Sequence, residues 1–116
     1  MGLYLGKPVT EKETHEGENE RIRFVSSSMQ GWRLKNEDAH IAALDIDNDV
    51  HLFCVFDGHG GSEVSKFCEL KFKETLLANE NYQKGEFELA LKETFLKIDQ
   101  MIESDQGQID IQNIIN

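Results

Sequence analysis

The sequence predicts an α+β fold, with strands in the first half of the chain and helices in the second. Residues 21–56 hold runs whose apolar residues alternate or fill a short segment, as strands do. Residues 62–79 and 86–102 instead carry apolar residues every three or four positions, the spacing of a helix with one buried side. No internal repeat and no domain boundary interrupts this order.

The opening "MGLYLGKPVT" carries Leu3, Tyr4 and Leu5 and predicts a short edge strand ending near Pro8. "EKETHEGENE", polar and rich in glutamate, reads as a solvated loop in which His15 has no companion at metal-ligand spacing. "RIRFVSSSM" alternates Ile22, Phe24 and Ser26 as a half-buried strand does, and "QGWRLKNED" breaks it at Gly31. "AHIAALDI" is a second strand, and Asp47 to Asp49 supply a turn of residues that bond their own backbone. "VHLFCVF" is apolar at nearly every position, so the expectation is a strand covered on both faces.

After the glycines comes a helix whose stripe is Val64, Cys68, Phe72 and Leu76, widened by Phe67. Ser62 or Gly61 caps it, with Glu63 in the first turn. "ENYQKG" breaks the pattern, and a second helix follows with Phe87, Leu91, Phe95, Ile98 and Ile102 on one side. In the tail, Ile109 and Ile111 alternate like a strand, and Ile114 with Ile115 leaves an apolar pair that predicts a covering partner or an unfinished domain.

A chain of 116 residues, 39% hydrophobic and 29% charged, is long enough for one small globular domain. It has no apolar run near the ~20 residues that cross a bilayer, and no apolar core of a secretory signal. Cys54 and Cys68 sit within apolar patterns and read as buried free thiols of a reducing cytosol. A net charge of −10 argues against a general nucleic-acid binder, which needs a basic face. It leaves an anionic substrate open, because carboxylates that hold cations reverse the local field.

Two segments carry chemistry. In "VFDGHGG" the carboxylate of Asp57 ends a buried run, and hard divalent cations prefer such oxygen ligands. Gly58 leaves its carbonyl unshielded, and His59 beside it can donate a proton. The competing reading of this triplet is a tight turn in which Asp57 caps the helix. In "GWRLKNEDAH", Arg33 suits bidentate recognition of phosphate oxygens, and the adjacent acids Glu37 and Asp38 point to opposite faces at a strand start. Trp32 reads as a packing anchor. "DIDND" imitates a calcium loop with Asp45, Asp47 and Asp49, but Val50 and Phe56 replace the glycine and glutamate that loop needs. "DGHGG" does not match the dinucleotide-binding glycine pattern either.

"SSMQGWRLKNEDAH" followed by "FCVFDGHGG" resembles the N-terminal motifs of the metal-dependent serine/threonine protein phosphatases, the PPM family of type 2C. Asn36 departs from the methionine usual there and lies outside the chemistry. The resemblance runs over residues 1–116, firmest over 21–104, with 105–116 a divergent tail. It implies the N-terminal part of an α-β-β-α four-layer sandwich, two antiparallel sheets flanked by helices, incomplete in this chain.

The resemblance also implies roles. Asp57 bridges two manganese or magnesium ions, and Gly58 ligates one through its carbonyl. Glu37 holds the second ion with Asp38 behind it, Arg33 clamps the substrate phosphate, and His59 protonates the leaving seryl or threonyl oxygen. The partners implied are phosphorylated proteins, and the reaction is two-metal hydrolysis. The family's later Gly-Asp-Ser-Arg, Asp-Gly-Ile-Trp-Asp-like and Asp-Asn motifs do not occur in this sequence. These 116 residues alone are therefore expected to be inactive, and the alternative function is a non-catalytic relative that binds partners or phosphoproteins. The location expected is cytoplasmic, extending to the nucleus. Gly2 follows Met1 as in N-myristoylated chains, but Gly6 stands where that pattern wants Ser or Thr, so membrane association is at most weak and peripheral.

Overall fold

The computed structural model describes residues 3–115, with Ile115 described by its backbone alone. The fold is α+β, in the order β1 (Tyr4–Glu18), β2 (Arg23–Arg33), β3 (Asp38–Asp47), β4 (Val50–Asp57), α1 (Glu63–Leu77), α2 (Glu80–Gln83), α3 (Phe87–Glu103) and α4 (Asp105–Ile115). The chain divides into two compact units. The first takes residues up to Glu37 together with Ile41–Cys54, and the second takes Asp38–His40 together with Val55 onward.

In the first unit β1 and β2 pair antiparallel, from Glu18 opposite Arg23 back to Tyr4 opposite Arg33. The connection is made by Asn19, whose side-chain oxygen accepts from the backbone N–H groups of Arg21 and Ile22, both at 2.9 Å. Its own N–H donates to the Ile22 carbonyl at 2.9 Å. That turn fixes the register, and pairing then carries β1 through the glutamate-rich stretch predicted as a loop. Its partners there are the polar Ser26 to Ser28, with Thr14 and Ser27 hydroxyls 3.0 Å apart. β2 was announced by Ile22 and Phe24, whereas no apolar rhythm marks this part of β1. Nor does Pro8 end β1, or Gly31 end β2. The register shifts on both sides of Val9, which lies opposite Gly31, and Gly31 bends with φ +67°.

β3 and β4 form the other two-stranded sheet. Only Asn48 and Asp49 join them, so the pair is an antiparallel hairpin. Asp49 takes φ +56°, and the Asn48 N–H donates to Asp47 Oδ1 at 2.8 Å. Phe24 and Phe53 meet edge to face at 5.4 Å within the first unit. β4 is not covered on both faces. Leu52 is buried, but Phe53 is 45% and Val55 77% exposed, so burial follows the two-residue period of a strand with one open face.

The second unit is built on helices. Phe67, Phe72 and Leu76 of α1, Tyr82 of α2, Ala90, Thr94 and Ile98 of α3 and Ile111 of α4 are buried. Phe72 is its centre, 5.7 Å from the Phe56 ring and 5.1 Å from that of Phe95. "ENYQKG" is not simply a break. Asn79 caps α2 by accepting from the Asn81 and Tyr82 N–H groups. The tail, expected to alternate as a strand, is the helix α4. Ser104 starts it by accepting from Gly107 N–H at 2.9 Å, and its inward positions are Gly107 and Ile111. A side chain at Gly107 would collide with the Met101 carbonyl, so the glycine is what lets α4 approach the end of α3. Ile109, the residue that suggested alternation, is exposed. Among the described residues no helix is long and apolar enough to cross a membrane. The acylation pattern at Gly2 lies outside the described residues.

Glu93 ties α3 to the α2 cap, since its Oε1 accepts from Asn79 Nδ2 at 3.2 Å and Asn81 Nδ2 at 2.6 Å. The amide of Asn81, then that of Asn79, holds the Glu93 carboxyl below the usual carboxylate range. Such a depressed group stabilises the fold above its unfolded-state pKa, and that stability is lost as pH falls through the folded-state value. Glu93→Ala is therefore expected to lower the thermal midpoint at neutral pH. The gap from the parent chain should close in acid, and a gap constant with pH would remove the ionised Glu93 from this role.

Candidate functional site

Asp57 is the last residue of β4, and Glu63 is the first of α1. Between them the chain must reverse from strand to helix in five residues. Gly60 and Gly61 make this possible with φ of +76° and +125°, values that strain residues bearing a Cβ. The start of the helix bears on the expectation that Asp57 caps it. Ser62 occupies the N-cap and makes no side-chain capping bond, so Asp57 is not the cap. It stands exposed at the strand end, followed by half-buried Gly58 and exposed His59.

Orientation follows from the pleat. Phe56 turns toward Phe72 of α1, and the next side chain along a strand points to the opposite face. The Asp57 carboxylate is thus turned away from the helical core. Asp38 begins β3 where Asp57 ends β4, so both lie at the open end of one hairpin, and both belong to the second unit. Arg33 ends β2, exposed, and Glu37 lies half-buried in the segment leading to β3, both in the first unit.

Asp57, Gly58, His59 and Asp38 are thus gathered at one strand-end region, while Arg33 and Glu37 belong to the other unit. The donors are hard oxygens of the kind magnesium and manganese take. Among the described residues, however, no three His, Cys, Asp or Glu side chains converge as a metal site needs. The residues present match divalent cations in donor chemistry and fall short in number.

One residue near the turn was passed over. A Cβ on Gly61 would come within 2.5 Å of Glu63 Oε2 and 2.6 Å of Oε1, so the Glu63 carboxylate lies over the turn itself. The sequence showed it only as a first-turn acid, and the signal for closer involvement was its place two residues after a glycine pair. Elsewhere, the aspartates resembling a calcium loop are engaged in the first unit. Asp45 accepts from Asn19 Nδ2 at 3.3 Å and Asp49 lies 3.9 Å from Arg21. A concavity of about 760 Å³ lies in the second unit among Thr75, Asn79, Glu93, Lys97 and Met101, and none of the motif residues lines it.

Cys54 and Cys68 are free thiols. Burial pushes both above the ordinary thiol range, and the charge of Asp99 adds to the effect at Cys68. The thiolate, the reactive form, is then scarcer at neutral pH than for an open cysteine. Iodoacetamide at about pH 7.5 should alkylate both more slowly than it does a cysteine peptide, the difference shrinking as pH rises. Equal rates would show that neither thiol is shielded.

Comparison with known proteins places these motifs among relatives. A family model described as protein phosphatase 2C matches residues 22–113. The chain is 52% identical over 98% of its length to "Probable protein phosphatase 2C 5" of Paramecium tetraurelia, of which it spans 39%. It is 50% identical over 93% of its length to "Protein phosphatase 2C 1" of the same organism, spanning 36% of it. It is 46% identical over 92% of its length to "Probable protein phosphatase 2C 21" of Arabidopsis thaliana, spanning 30%.

Proposed function

The chain belongs to the protein phosphatase 2C family, and from that membership we propose that its strand-end turn serves the hydrolysis of phosphoserine and phosphothreonine in proteins. The observation that supports this most directly is the state of Asp57. It is exposed at the strand end, turned from the helical core, and does not occupy the N-cap of α1. Its position suits a ligand from outside.

In this reading Asp57, the Gly58 carbonyl and Glu37 bind manganese or magnesium, with Asp38 supporting Glu37. Divalent cations in such a site neutralise charge and activate water. Arg33 holds phosphate oxygens through its planar pair of donors. His59 delivers a proton to the departing seryl or threonyl oxygen, which leaves poorly as an alkoxide. Phosphorylated proteins are the substrates, in the cytoplasm and nucleus.

A second reading, a chain that binds partners or phosphoproteins without hydrolysing them, is favoured by the donor count. The two readings separate in a chimera in which this chain replaces the matching part of the Paramecium tetraurelia 2C 5 relative. Asp57→Asn in that chimera should reduce manganese-dependent turnover of a phosphothreonine peptide to background, and near-normal turnover would remove Asp57 from the site. His59→Gln should slow phosphoserine hydrolysis by about 10²-fold or more while sparing p-nitrophenyl phosphate, whose leaving group needs no proton. Equal losses on both would make His59 structural.

The 116 residues alone should show no manganese-dependent turnover, and no manganese shift of their unfolding midpoint, because too few donors converge to favour the folded state by binding. A manganese-shifted transition with turnover would show that these residues suffice.

A further inference from the structure

The connection from β2 to β3 carries two of the candidate residues, with Arg33 ending β2 and Glu37 standing just before β3. Residues 34–37 belong to no strand or helix, so their backbone groups must find partners outside a ladder. The side-chain amide of Gln30 supplies the first. Its Nε2 donates to the Arg33 carbonyl at 2.9 Å and to the Leu34 carbonyl at 3.0 Å. A second tie follows at Asn36, whose Nδ2 donates to Ser28 Oγ at 2.9 Å. Ser28 and Gln30 are two residues apart on β2 and so share its half-buried face. The connection is thus fastened to that face at two points, one beside Arg33 and the other beside Glu37. All of these residues lie in the first unit.

The three bonds are exposed to solvent, where a hydrogen bond adds little net stability because water replaces it. What they remove is freedom. Without them Arg33 and Glu37 would flank a link, residues 34–36, able to sample many shapes. A guanidinium grips phosphate bidentately only in one orientation, and a ligand group that must first be ordered binds more weakly. Asn36 takes no part in the chemistry itself. The methionine of the resembled motif could not donate the bond that Asn36 makes, so the second tie belongs to this sequence.

We propose that Gln30 and Asn36 are positioning residues, which act through the backbone to hold Arg33 for a phosphate group and Glu37 for a divalent cation. The proposal rests on the roles given to Arg33 and Glu37 above, and is independent of whether the assembled site hydrolyses phosphate.

The test uses the chimera with the Paramecium tetraurelia 2C 5 relative and two readouts that need no turnover. Manganese affinity is read by electron paramagnetic resonance. Anion affinity is read at saturating manganese, by fluorescence anisotropy of a peptide carrying a non-hydrolysable phosphonate in place of phosphothreonine. Gln30→Met keeps the length of the side chain and removes its donors. It should weaken the peptide by about fivefold or more and leave manganese affinity within about twofold. In an Arg33→Ala background the same change should add less than about twofold, since nothing is left to position. Asn36→Ala and Ser28→Ala should each weaken manganese by about threefold or more, and the double variant no more than either, because both remove one bond. Ser27→Ala, which removes a comparable exposed contact with Thr14 on the other face of β2, should change neither affinity. Unfolding midpoints should fall by at most about 4 °C throughout.

A larger fall, with both affinities lost together, would make the ties structural and overturn the proposal. So would amide variants that match Ser27→Ala while Arg33→Ala weakens the peptide and Glu37→Gln weakens manganese; the assigned roles would then stand and the positioning alone would fail. If Arg33→Ala and Glu37→Gln are themselves silent, the roles fail and the positioning falls with them.

Discussion

The contact between Phe56 and Phe72 is the constraint on which the candidate site depends. Phe72 is wholly buried, and it draws the penultimate residue of β4 against α1. Once Phe56 is committed to that side, the pleat leaves Asp57 only the other. Once α1 is committed to the same contact, the five residues from Gly58 to Ser62 must close a fixed gap. Gly60 and Gly61 do so in backbone conformations that other residues strain to adopt. A carboxylate, a bare carbonyl and an imidazole are held together because aromatic packing fixes both ends of a short glycine turn. Little else about them is fixed by packing, since Asp57 and His59 are exposed.

Legibility in the sequence divides along the same physical line. The glycine turn, β2 to β4 and the two long helices could be read from turn residues and from apolar runs or periods. Of β1 only the start could, near Tyr4 and Leu5, because a strand whose later cross-strand partners are serines is specified by backbone pairing and by the Asn19 turn. α4 was misread because its inward strip begins with Gly107, which contributes close approach and no hydropathy, while the visible Ile109 points outward. α2 was missed for a related reason, since a four-residue helix has no period to detect and is specified by the Asn79 cap and the Glu93 brace.

The α3 pattern was right about spacing and incomplete about orientation. Phe87, Leu91, Phe95, Ile98 and Ile102 were read as the core side; Ile98 is buried as expected, but it packs in a strip with Ala90 and Thr94, and Phe87, Leu91 and Phe95 are partly exposed. Small residues allow helices to approach, and large ones fill space between more distant layers. The periodicity recorded the need of both strips for cover, and only one is met within the second unit.

The sequence offered the candidate residues by type and place, whereas whether they converge depends on tertiary placement that no local pattern encodes. Charge makes the same point from the opposite direction. A chain of net charge −10 repels phosphate on average, and Asp57, Asp38 and Glu37 add to that repulsion when bare. In the proposed reading, recognition of an anion at this turn requires those acids to be neutralised by cations first. The acidity that argues against general nucleic-acid binding is thus compatible, in the proposed reading, with phosphate chemistry through bound cations. Substrate affinity should then rise with divalent-ion occupancy, whereas simple screening by monovalent salt, which also relieves repulsion, would not depend on Asp57.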